Sequence, residues 1–512
     1  MANEVGTASN LEDLFGKIVS FLTTNATLVA ANQDWQALRL RRDNIATHTS
    51  NLPDPTSANA RKMIHTFRYD PRSLNMNNPA QNGQESFYVT NSGYTAGTSY
   101  NQWILKASRE VKTVRIKAPV GFSYASYAPK SFRLQYSDDG TAWTTALTVS
   151  NAPNWFVGER RDFAVPGTPG AHLYWKIIWD ATQAVSYIGW TELMLLEADG
   201  TVANHFGSEV ILKARGNAGT DAIYTGIRSE YDSAAGWYNL FLNGYTGYDP
   251  NVDSWFEQPG ALPGYTVGST LLKPNPMVPC WNTTMPYWFA ASGRSFRFGV
   301  KVSTSYEGGY LGFILPYATP GQYPYPLAVG GSLVPQDGAR SAEWRYSYVS
   351  FRHGVYPGPG TNNYPDNDST KHATLYIRNP DGEWAYVGNR TAYSSTDTEG
   401  ISGPYFSGPP YVPAQYQGYR TVWPHCMFGS SQLSRGRRPW RECLGGGYML
   451  LPCIINQVGP TWLVYGELEG TFWISGYQNS PENTTTFGGK THIILQNAYR
   501  NTAHEFWALS LD

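Results

Sequence analysis

Apolar side chains near the start of the chain recur at helical spacing. They are Leu11, Leu14, Phe15, Ile18 and Leu22. This spacing predicts an amphipathic helix. Asn10, which precedes it, is a residue type that caps helix N-termini. Glu12 and Asp13 fall in the first turn, where the helix dipole favours negative charge. A second helix is predicted over residues 27–42, so residues 1–79 are expected to form a small helical head with a connector.

The predicted head is too short to bury a sizeable core of its own. We therefore expect its apolar side chains to pack against another chain of an assembly, or against the next domain. The expected assembly residues are Leu11, Leu14, Phe15, Ile18, Leu22 and Trp35. An ordinary helical hairpin that packs on the body of its own chain is the alternative.

Beyond residue 80 the apolar residues take the spacing of strands. Phe132, Leu134 and Tyr136 alternate with other residues, and the sequence Ser-Asp-Asp-Gly at 137–140 is a strong turn signal. Similar short strands follow up to residue 200. A β-sandwich is therefore predicted over residues 80–200.

Composition also favours strands over helices. Aromatic residues make up 15% of the chain, which contains 51 Gly and 34 Pro, as expected for short strands joined by loops. Strand-like segments continue through residues 201–340 and 341–512, which form either two β domains or one. The predicted fold class is mainly β, with a sandwich, a larger C-terminal β region and a small helical N-terminal head.

The charge balance excludes some partner classes. The chain has 38 Lys and Arg against 39 Asp and Glu, a net charge of −1. A net charge so close to zero does not favour binding to nucleic acid or to an anionic membrane surface. The apolar runs fall short of the roughly 18 residues that cross a bilayer, and no basic segment precedes an apolar core at the N-terminus. We expect no nucleic-acid partner, no membrane insertion and synthesis in the cytoplasm.

The sandwich region carries the features of a known domain family. Residues 132–143 read Phe-Arg-Leu-Gln-Tyr-Ser-Asp-Asp-Gly-Thr-Ala-Trp, and residues 189–197 read Gly-Trp-Thr-Glu-Leu-Met-Leu-Leu-Glu. Both resemble discoidin domains, the coagulation-factor type C group of galactose-binding-like proteins. The resemblance covers about residues 85–198 and implies a jelly roll whose ligands meet the loops at one end. The candidate ligand residues of this region are Asp138, Asp139, Trp143 and Trp190.

A second resemblance covers most of the chain beyond residue 205. It rests on aromatic-rich strings at 221–228, 237–248, 286–294, 311–327 and 472–480. These strings resemble virion structural proteins of tailed bacteriophages, which are tail or baseplate components. The resemblance implies a place in the phage particle, other tail and baseplate proteins as partners, a homo-oligomer around the tail axis and synthesis in the host bacterium.

Two acidic residues are the candidates for catalysis. Glu467 and Glu469 stand two apart in a strand-like segment, so they share a face about 7 Å apart. Paired carboxylates at that separation suit glycoside hydrolysis. The alternative is a solvated strand face with two unrelated carboxylates.

Aromatic and basic side chains in loops are the candidates for partner contacts. Tyr323 and Tyr325 lie in a Pro- and Gly-rich loop, where tyrosine offers a large contact area and a polar tip. Arg437 and Arg438 flank Trp440, a combination that binds phosphate or other anions. The alternatives are a loop packed on its own sheet and a solvated basic loop.

The sequence contains no complete metal or cofactor motif. A zincin pattern, an EF-hand, a phosphate loop and a nucleophile elbow are all missing. We therefore expect no metal and no cofactor.

Three functions fit these observations. The main interpretation is a non-enzymatic structural component of a phage tail or baseplate, which assembles through its N-terminal helices and β surfaces. The alternative is a tail protein that binds a host receptor or saccharide. The third is a polysaccharide depolymerase that uses Glu467 and Glu469.

Overall fold

The computed structural model describes residues 1–52, 63–64, 66–69, 88–90, 93–119, 125–183, 186–233, 236–262, 275–332, 375–387, 419–423, 447–458, 463–476, 478–496 and 506–512. The chain forms two compact units. The first unit comprises Met1–Leu40, Glu209–Val252 and Phe256–Asp512. The second, which we call the sandwich unit, comprises Arg41–Ser208 and Asp253–Trp255.

The described elements are nearly all strands. The N-terminal part has β1 (Ala2–Ala8), α1 (Leu11–Thr24), α2 (Ala26–Ala30) and β2 (Gln36–Arg41). The strands up to residue 200 are β3 (Ile45–Ser50), β4 (Tyr88–Val89), β5 (Tyr100–Arg109), β6 (Thr113–Lys117), β7 (Pro129–Ser137), β8 (Thr144–Val149), β9 (Arg160–Ala164), β10 (His172–Thr182), β11 (Gly189–Trp190) and β12 (Glu192–Leu196), with a 3₁₀ turn at Ala125–Tyr127.

The remaining strands belong to the first unit. They are β13 (Glu209–Ala214), β14 (Ile223–Asp232), β15 (Trp237–Tyr245), β16 (Met277–Cys280), β17 (Met285–Ala291), β18 (Ser295–Val302), β19 (Ser305–Phe313), β20 (Leu315–Pro316), β21 (Leu327–Gly330), β22 (Leu375–Arg378), β23 (Trp384–Val387), β24 (Tyr419–Trp423), β25 (Leu450–Val458), β26 (Leu463–Ile474), β27 (Thr484–Phe487), β28 (Lys490–Gln496) and β29 (Phe506–Ser510).

Helix α1 begins where the sequence predicts. The Asn10 side-chain oxygen accepts a hydrogen bond from the Asp13 backbone N–H at 2.9 Å, and Lys17 donates to the Asp13 carboxylate at 3.0 Å. These contacts satisfy one N–H of the first turn and place negative charge at the positive end of the helix dipole. The predicted helix over 27–42 is wrong, because the helical segment ends at Ala30 and Gln36–Arg41 is a strand.

The predicted assembly residues lie in the core of their own unit. Leu11, Leu14, Phe15, Ile18, Leu22 and Trp35 are all buried. The indole N–H of Trp35 donates to the Ser292 carbonyl at 2.9 Å, and the ring of Phe21 in α1 lies 5.6 Å from that of Phe289. Side chains buried in this way have no surface left for another chain. The assignment of these six residues to an assembly contact is therefore corrected, and the alternative, packing on the chain's own body, describes them.

Three sheets build the first unit. Their strand orders are β16-β15-β14-β13-β2, β1-β17-β18-β19-β21-β22-β23 and β24-β25-β26-β29-β28-β27, with β20 paired to β26. The second sheet is buried on both faces. Tyr287 and Phe289 join the core that contains α1, whereas Trp288 and Ala290 join a core with the third sheet. Burial on both faces explains the uninterrupted apolar run at 287–291.

The sandwich unit has two main antiparallel sheets. The larger has the order β3-β5-β10-β7-β8 and the smaller the order β12-β6-β9, with β4 and β11 as a separate pair. Along β10, Trp175, Ile177 and Trp179 are buried, while Lys176 and Ile178 on the opposite face are half-buried. This alternation is the pattern of a sandwich strand. The predicted fold class is confirmed: the chain is mainly β, with a jelly-roll sandwich, a larger β region and a short N-terminal helix.

The two units divide the chain differently from the domains predicted by sequence. Residues 1–40 belong with Glu209–Val252 and Phe256–Asp512 and do not form a head that extends to residue 79. The sandwich unit extends over Arg41–Ser208, whereas the predicted domain spans 80–200. The predicted boundary between 340 and 341 lies outside the described residues.

No helix in the described part of the chain combines the length and apolarity that a membrane span requires.

Candidate functional site

Asp139 of the β7–β8 turn is a structural residue. Its carboxylate accepts backbone hydrogen bonds from Ala142 at 2.9 Å and Thr141 at 2.7 Å, and one from the Ser137 hydroxyl at 2.9 Å. These donors hold the pKa of the carboxyl well below its usual range, because they favour the charged form. Asp139 therefore builds the turn that the sequence predicts and is not directed at a ligand.

Asp138 and Trp143, from the same turn, contact different residues of β10. The Asp138 carboxylate lies 2.7 Å from Nδ1 of His172, whose Nε2 lies 2.7 Å from the Pro169 carbonyl oxygen. The Lys176 ammonium lies 3.7 Å from the ring centroid of Trp143, a cation–π contact. The two side chains thus brace the turn against the sheet, and the contacts described do not make them converge on one site.

Trp190 is fully buried, at 0% exposure. Its indole N–H donates to the Thr66 hydroxyl at 2.8 Å, and its ring stacks on Trp179 with centroids 5.1 Å apart. The prediction that Trp190 contacts a ligand is therefore wrong, because the side chain belongs to the sandwich core.

The two loop tyrosines of the first unit are packed on their own unit. Tyr323 is 2% exposed and donates to the Arg378 carbonyl. Tyr325 donates to the Tyr245 carbonyl at 2.9 Å and receives the Tyr224 backbone N–H at 3.2 Å. Burial raises the pKa of the Tyr325 hydroxyl. Their assignment to a partner surface is corrected: the alternative, a loop packed on its own sheet, describes them.

The two candidate catalytic carboxylates have different surroundings. Glu469 is 8% exposed. It accepts hydrogen bonds from the Ser292 hydroxyl at 3.0 Å and from the Ser295 hydroxyl, and it lies 3.6 Å from the Arg297 guanidinium. Glu467 is half-buried, and burial raises the pKa of its carboxyl. The Glu469 carboxylate is therefore enclosed by side chains of its own unit, whereas the Glu467 carboxylate is partly exposed.

Arg437, Arg438 and Trp440, the predicted anion-binding residues, lie outside the described residues. Among the residues that the structure does describe, no three His, Cys, Asp or Glu side chains form a possible metal site.

The structure instead brings a different set of residues together, at one end of the sandwich unit. Strands β5 and β7 begin at this end, and β8 and β10 end there. Gly158 N–H donates to the Pro119 carbonyl at 3.2 Å, and Tyr94 N–H donates to Ser186 at 3.1 Å, so the connections contact one another. Among the residues that the structure describes here, the exposed or half-buried aromatic side chains are Tyr94, Tyr127, Phe156 and Tyr187. We call this surface the aromatic end.

Phe156 is the most exposed aromatic side chain of this surface. It is 78% exposed, and Val157 beside it is also exposed. Singly exposed apolar residues are normal on protein surfaces, but two adjacent ones on a loop tip form an apolar patch that can contact a ligand.

The loop that carries Phe156 is held rigidly. The Arg161 guanidinium donates to the Pro153 and Asn154 carbonyls at 2.7 Å each and forms a bidentate pair with Glu159 at 2.6 and 2.7 Å. The Glu159 carboxylate in turn accepts the Phe156 N–H at 2.8 Å. The arginine side chain also covers the buried Trp155 ring, at 4.2 Å. These contacts fix the loop backbone, so Phe156 projects from a preorganised support.

Tyrosines supply the rest of the aromatic end. The rings of Tyr127 and Tyr187 lie 5.2 Å apart, and Tyr187 is 37% exposed. Burial raises the pKa of the Tyr94 hydroxyl, which is also hydrogen-bonded to Thr182. Tyrosine at such a position offers an apolar face and a hydroxyl that donates and accepts.

An ion pair lies beside the aromatic end on the outer face of the larger sheet. Arg133 forms two hydrogen bonds with Asp180, at 2.9 and 3.0 Å, and a longer one with the Gly97 carbonyl at 3.4 Å. Both side chains are partly exposed. Bidentate geometry fixes both groups, so their remaining donors and acceptors have a defined direction.

Sequence reasoning missed the aromatic end, although one signal for it was present. Residues 153–158 read Pro-Asn-Trp-Phe-Val-Gly, an apolar triplet in a turn-forming context. A triplet of this kind contradicts the polar composition expected of a loop. That contradiction identifies residues to examine for function.

Solved structures that resemble part of the chain include carbohydrate-binding modules and an F5/8 type C domain. A family 32 carbohydrate-binding module of Clostridium perfringens, solved in complex with GalNAc-β-1,3-galactose, is 13% identical, and the match covers 29% of this chain and 91% of that one at a TM-score of 0.22. An F5/8 type C domain of Bacteroides fragilis is 15% identical over 32% of this chain and 96% of that one, with a TM-score of 0.23. A chitosan-binding module from Paenibacillus sp. IK-5, in complex with chitotriose, is 12% identical over 29% and 92%, with a TM-score of 0.20.

No protein-family model and no curated protein matches the chain. At the identities above, the likeness to solved structures concerns the fold. The strand order of the sandwich unit is that of an antiparallel jelly-roll sandwich.

Proposed function

We propose that the sandwich unit binds a saccharide at the aromatic end. The observation that carries this proposal is Phe156, 78% exposed on a loop that Arg161 and Glu159 hold in place. An exposed aromatic ring on a rigid support can stack on the C–H face of a sugar at little cost in conformational entropy. Tyr127, Tyr187 and Tyr94 add hydroxyls for hydrogen bonds to sugar hydroxyls.

The location of these residues supports the same proposal. They lie on connections between strands of a rigid sandwich, where binding residues are commonly found. The sandwich positions the loops, and the loops present the ring and hydroxyl groups. Saccharide recognition needs these two kinds of group, and it needs neither a metal nor an activated nucleophile.

The test is binding of the full-length protein to a glycan array, followed by calorimetric titration with any glycan retained. The variant is Phe156→Ala, for which we expect at least about a tenfold loss of affinity, since one buried aromatic contact is worth more than about 1.4 kcal/mol. The matched control is Phe487→Ala, because Phe487 is also exposed, at 45%, but lies on β27 of the first unit. Unchanged affinity in Phe156→Ala, or no glycan retained, would refute the proposal.

A place in a phage tail or baseplate is a second proposal, supported by the resemblance of the aromatic strings in the first unit to tail proteins. In that setting the sandwich unit would contact host-surface saccharide, and the chain would occur as a homo-oligomer with other tail proteins. Detection of the chain by mass spectrometry in purified particles would support this location. Its recovery from infected cells but not from particles would exclude it.

We also propose that the chain acts by binding and not by catalysis. The enclosure of Glu469 by Ser292, Ser295 and Arg297 supports this. Release of reducing sugar from a bound polysaccharide, abolished by Glu467→Gln or Glu469→Gln, would contradict it.

A further inference from the structure

The polar groups of the aromatic end are hydroxyls and amides. The described residues of its four connections, 90, 93–99, 118–119, 125–128, 150–158, 183 and 186–191, are all uncharged and include no histidine, although 15% of the whole chain is charged. Ser, Thr, Asn, Gln and Tyr supply the side-chain donors and acceptors. These side chains hydrogen-bond well to neutral hydroxyl groups.

The arginine and glutamate residues that flank the connections are paired with one another. Glu159 is held by Arg161 at 2.6 Å, which lowers the pKa of the Glu159 carboxyl. Arg160 pairs with Glu192 at 2.9 Å. Each flanking arginine therefore already has a carboxylate partner from its own unit.

The Arg133–Asp180 pair beside this surface is compensated in the same way, with nitrogen and oxygen 2.9 Å apart. An anionic ligand would have to displace Asp180 to gain the full charge of Arg133. The favourable interaction between the ligand and Arg133 would then be offset by the cost of leaving the Asp180 carboxylate without its partner.

A neutral sugar meets no such cost. Its hydroxyls exchange hydrogen bonds with water for hydrogen bonds with the tyrosines and other polar groups, and its C–H face covers Phe156. A carboxylate or sulfate in the same place would lose hydration, and the described residues of the connections offer it no cation.

We infer that the aromatic end is selective for uncharged saccharides over their acidic or basic counterparts. This inference rests on the proposed function and deepens it by naming the ligand class. Lys130, the second residue of β7, is partly exposed next to this end and provides an internal test, because a site for acidic sugars would use it.

The experiment measures affinity of the full chain for glycans matched in stereochemistry and different in charge. The pairs are oligogalactose with oligogalacturonate, oligomannose with oligomannuronate, and N-acetylated with deacetylated chitotriose. Each titration is made at about 50 mM and about 500 mM salt, since charge-dependent binding weakens on screening. The variants are Phe156→Ala and Lys130→Ala.

We expect the neutral member of at least one pair to bind at least about tenfold more tightly than its charged partner. Its affinity should change less than about twofold with salt. Phe156→Ala should weaken this binding at least about tenfold, and Lys130→Ala should leave it unchanged.

Tighter binding of a charged member that weakens with salt would overturn the inference. If Phe156→Ala still weakened that binding at least about tenfold, the proposed saccharide site would stand and only its selectivity would be wrong. If no glycan bound, or if binding were indifferent to Phe156→Ala, the proposed function would fail and the inference with it.

Discussion

At the residue scale, buried polar side chains of the sandwich unit complete one another's hydrogen bonds. The amide nitrogen of Asn101 lies 3.1 Å from Nε2 of His48, and its oxygen accepts the indole N–H of Trp179 at 2.8 Å. An amide nitrogen only donates, so Nε2 of His48 accepts and the ring is neutral. Burial accordingly lowers the pKa of His48 to about 3.

This neutral histidine predicts a pH dependence of stability. The pKa of His48 falls from 6.5 in the unfolded chain to about 3 in the fold. Between these values the unfolded state binds more protons than the folded state, so stability rises with pH there. The contribution of His48 is complete above pH 6.5 and is lost progressively as the pH falls towards 3.

NMR of the histidine rings checks this prediction directly. The His48 resonances should not move between pH 8 and pH 5, because both values lie well above the pKa of about 3. Between pH 6.5 and pH 4, the free energy of unfolding of the sandwich unit should decrease less in a His48→Gln variant than in the wild-type protein. A His48 resonance that titrates with a midpoint near 6.5 would contradict the assignment.

A second residue-scale prediction concerns the buried pair in the first unit. Glu469→Ala would leave the Arg297 guanidinium, 0% exposed, without the carboxylate that lies 3.6 Å away. Loss of one member of a buried pair costs about 3–5 kcal/mol. Denaturant unfolding should therefore show a large loss of stability for Glu469→Ala and a much smaller one for Glu467→Ala, whose side chain is half-buried. Equal losses of stability in the two variants would contradict the prediction that Glu469 stabilises the buried Arg297.

Side-chain exposure was the feature that sequence predicted least well. Tyr325 lies in a Pro- and Gly-rich loop, yet its hydroxyl donates to Tyr245, 80 positions earlier in the chain. Trp190 lies in a motif typical of a domain with ligand-binding loops, yet it fills the core. In both cases the partner that buries the residue is distant in sequence, and local patterns contain no information about it. The surroundings of the Asp139 carboxylate were predictable from local sequence, because its partners lie within the same turn.

At the scale of the element, the loop 150–159 depends on one guanidinium. Arg161→Ala removes the donors to Pro153 and Asn154 and the partner of Glu159. The loop would then sample other conformations, and binding would have to pay for ordering Phe156. We expect about a tenfold weaker glycan affinity, equivalent to about 1.4 kcal/mol, and faster backbone hydrogen exchange at residues 154–159.

The matched control is Arg115→Ala. Arg115 forms a bidentate pair with Asp162 at 2.6 and 2.7 Å, next to Arg161 in the same part of the sandwich, but it does not contact the loop. Its loss should leave glycan affinity and loop exchange unchanged. If both variants weakened binding equally, the effect would come from the loss of positive charge in this part of the sandwich and not from the loop.

Element type was predictable where local signals agreed. For α1, helical periodicity, an Asn cap and acidic residues in the first turn all favoured the same element. At Gln36–Arg41 the two leucines, Leu38 and Leu40, stand two residues apart with arginines between and after them, which is the period of a strand. The segment pairs with β13 in a sheet, so a long-range contact decides its conformation.

At the scale of the whole molecule, the sequence predicted the sandwich but not how distant segments join. Residues 1–40, 209–252 and 256–512 form one unit, and strand β1 pairs with β17 although the sequence of the sandwich unit lies between the two strands. The alternating residues of β1 show which face is buried, but they do not identify the partner strand.

This organisation gives a prediction about assembly. Leu14 lies in the core of the first unit with Phe289 and Ile227. Leu14→Ala should therefore lower the free energy of unfolding by about 2–5 kcal/mol, the usual cost of a cavity in a core, and should leave the oligomeric mass of the folded protein unchanged. The control is Val29→Ala, because Val29 lies nearby in α2 but is exposed, and substitutions at such positions cost less than about 0.5 kcal/mol. Denaturation followed by fluorescence and mass photometry give the two quantities. Dissociation of an oligomer by Leu14→Ala without loss of stability would mean that the helix contacts another chain, which its burial in the first unit argues against.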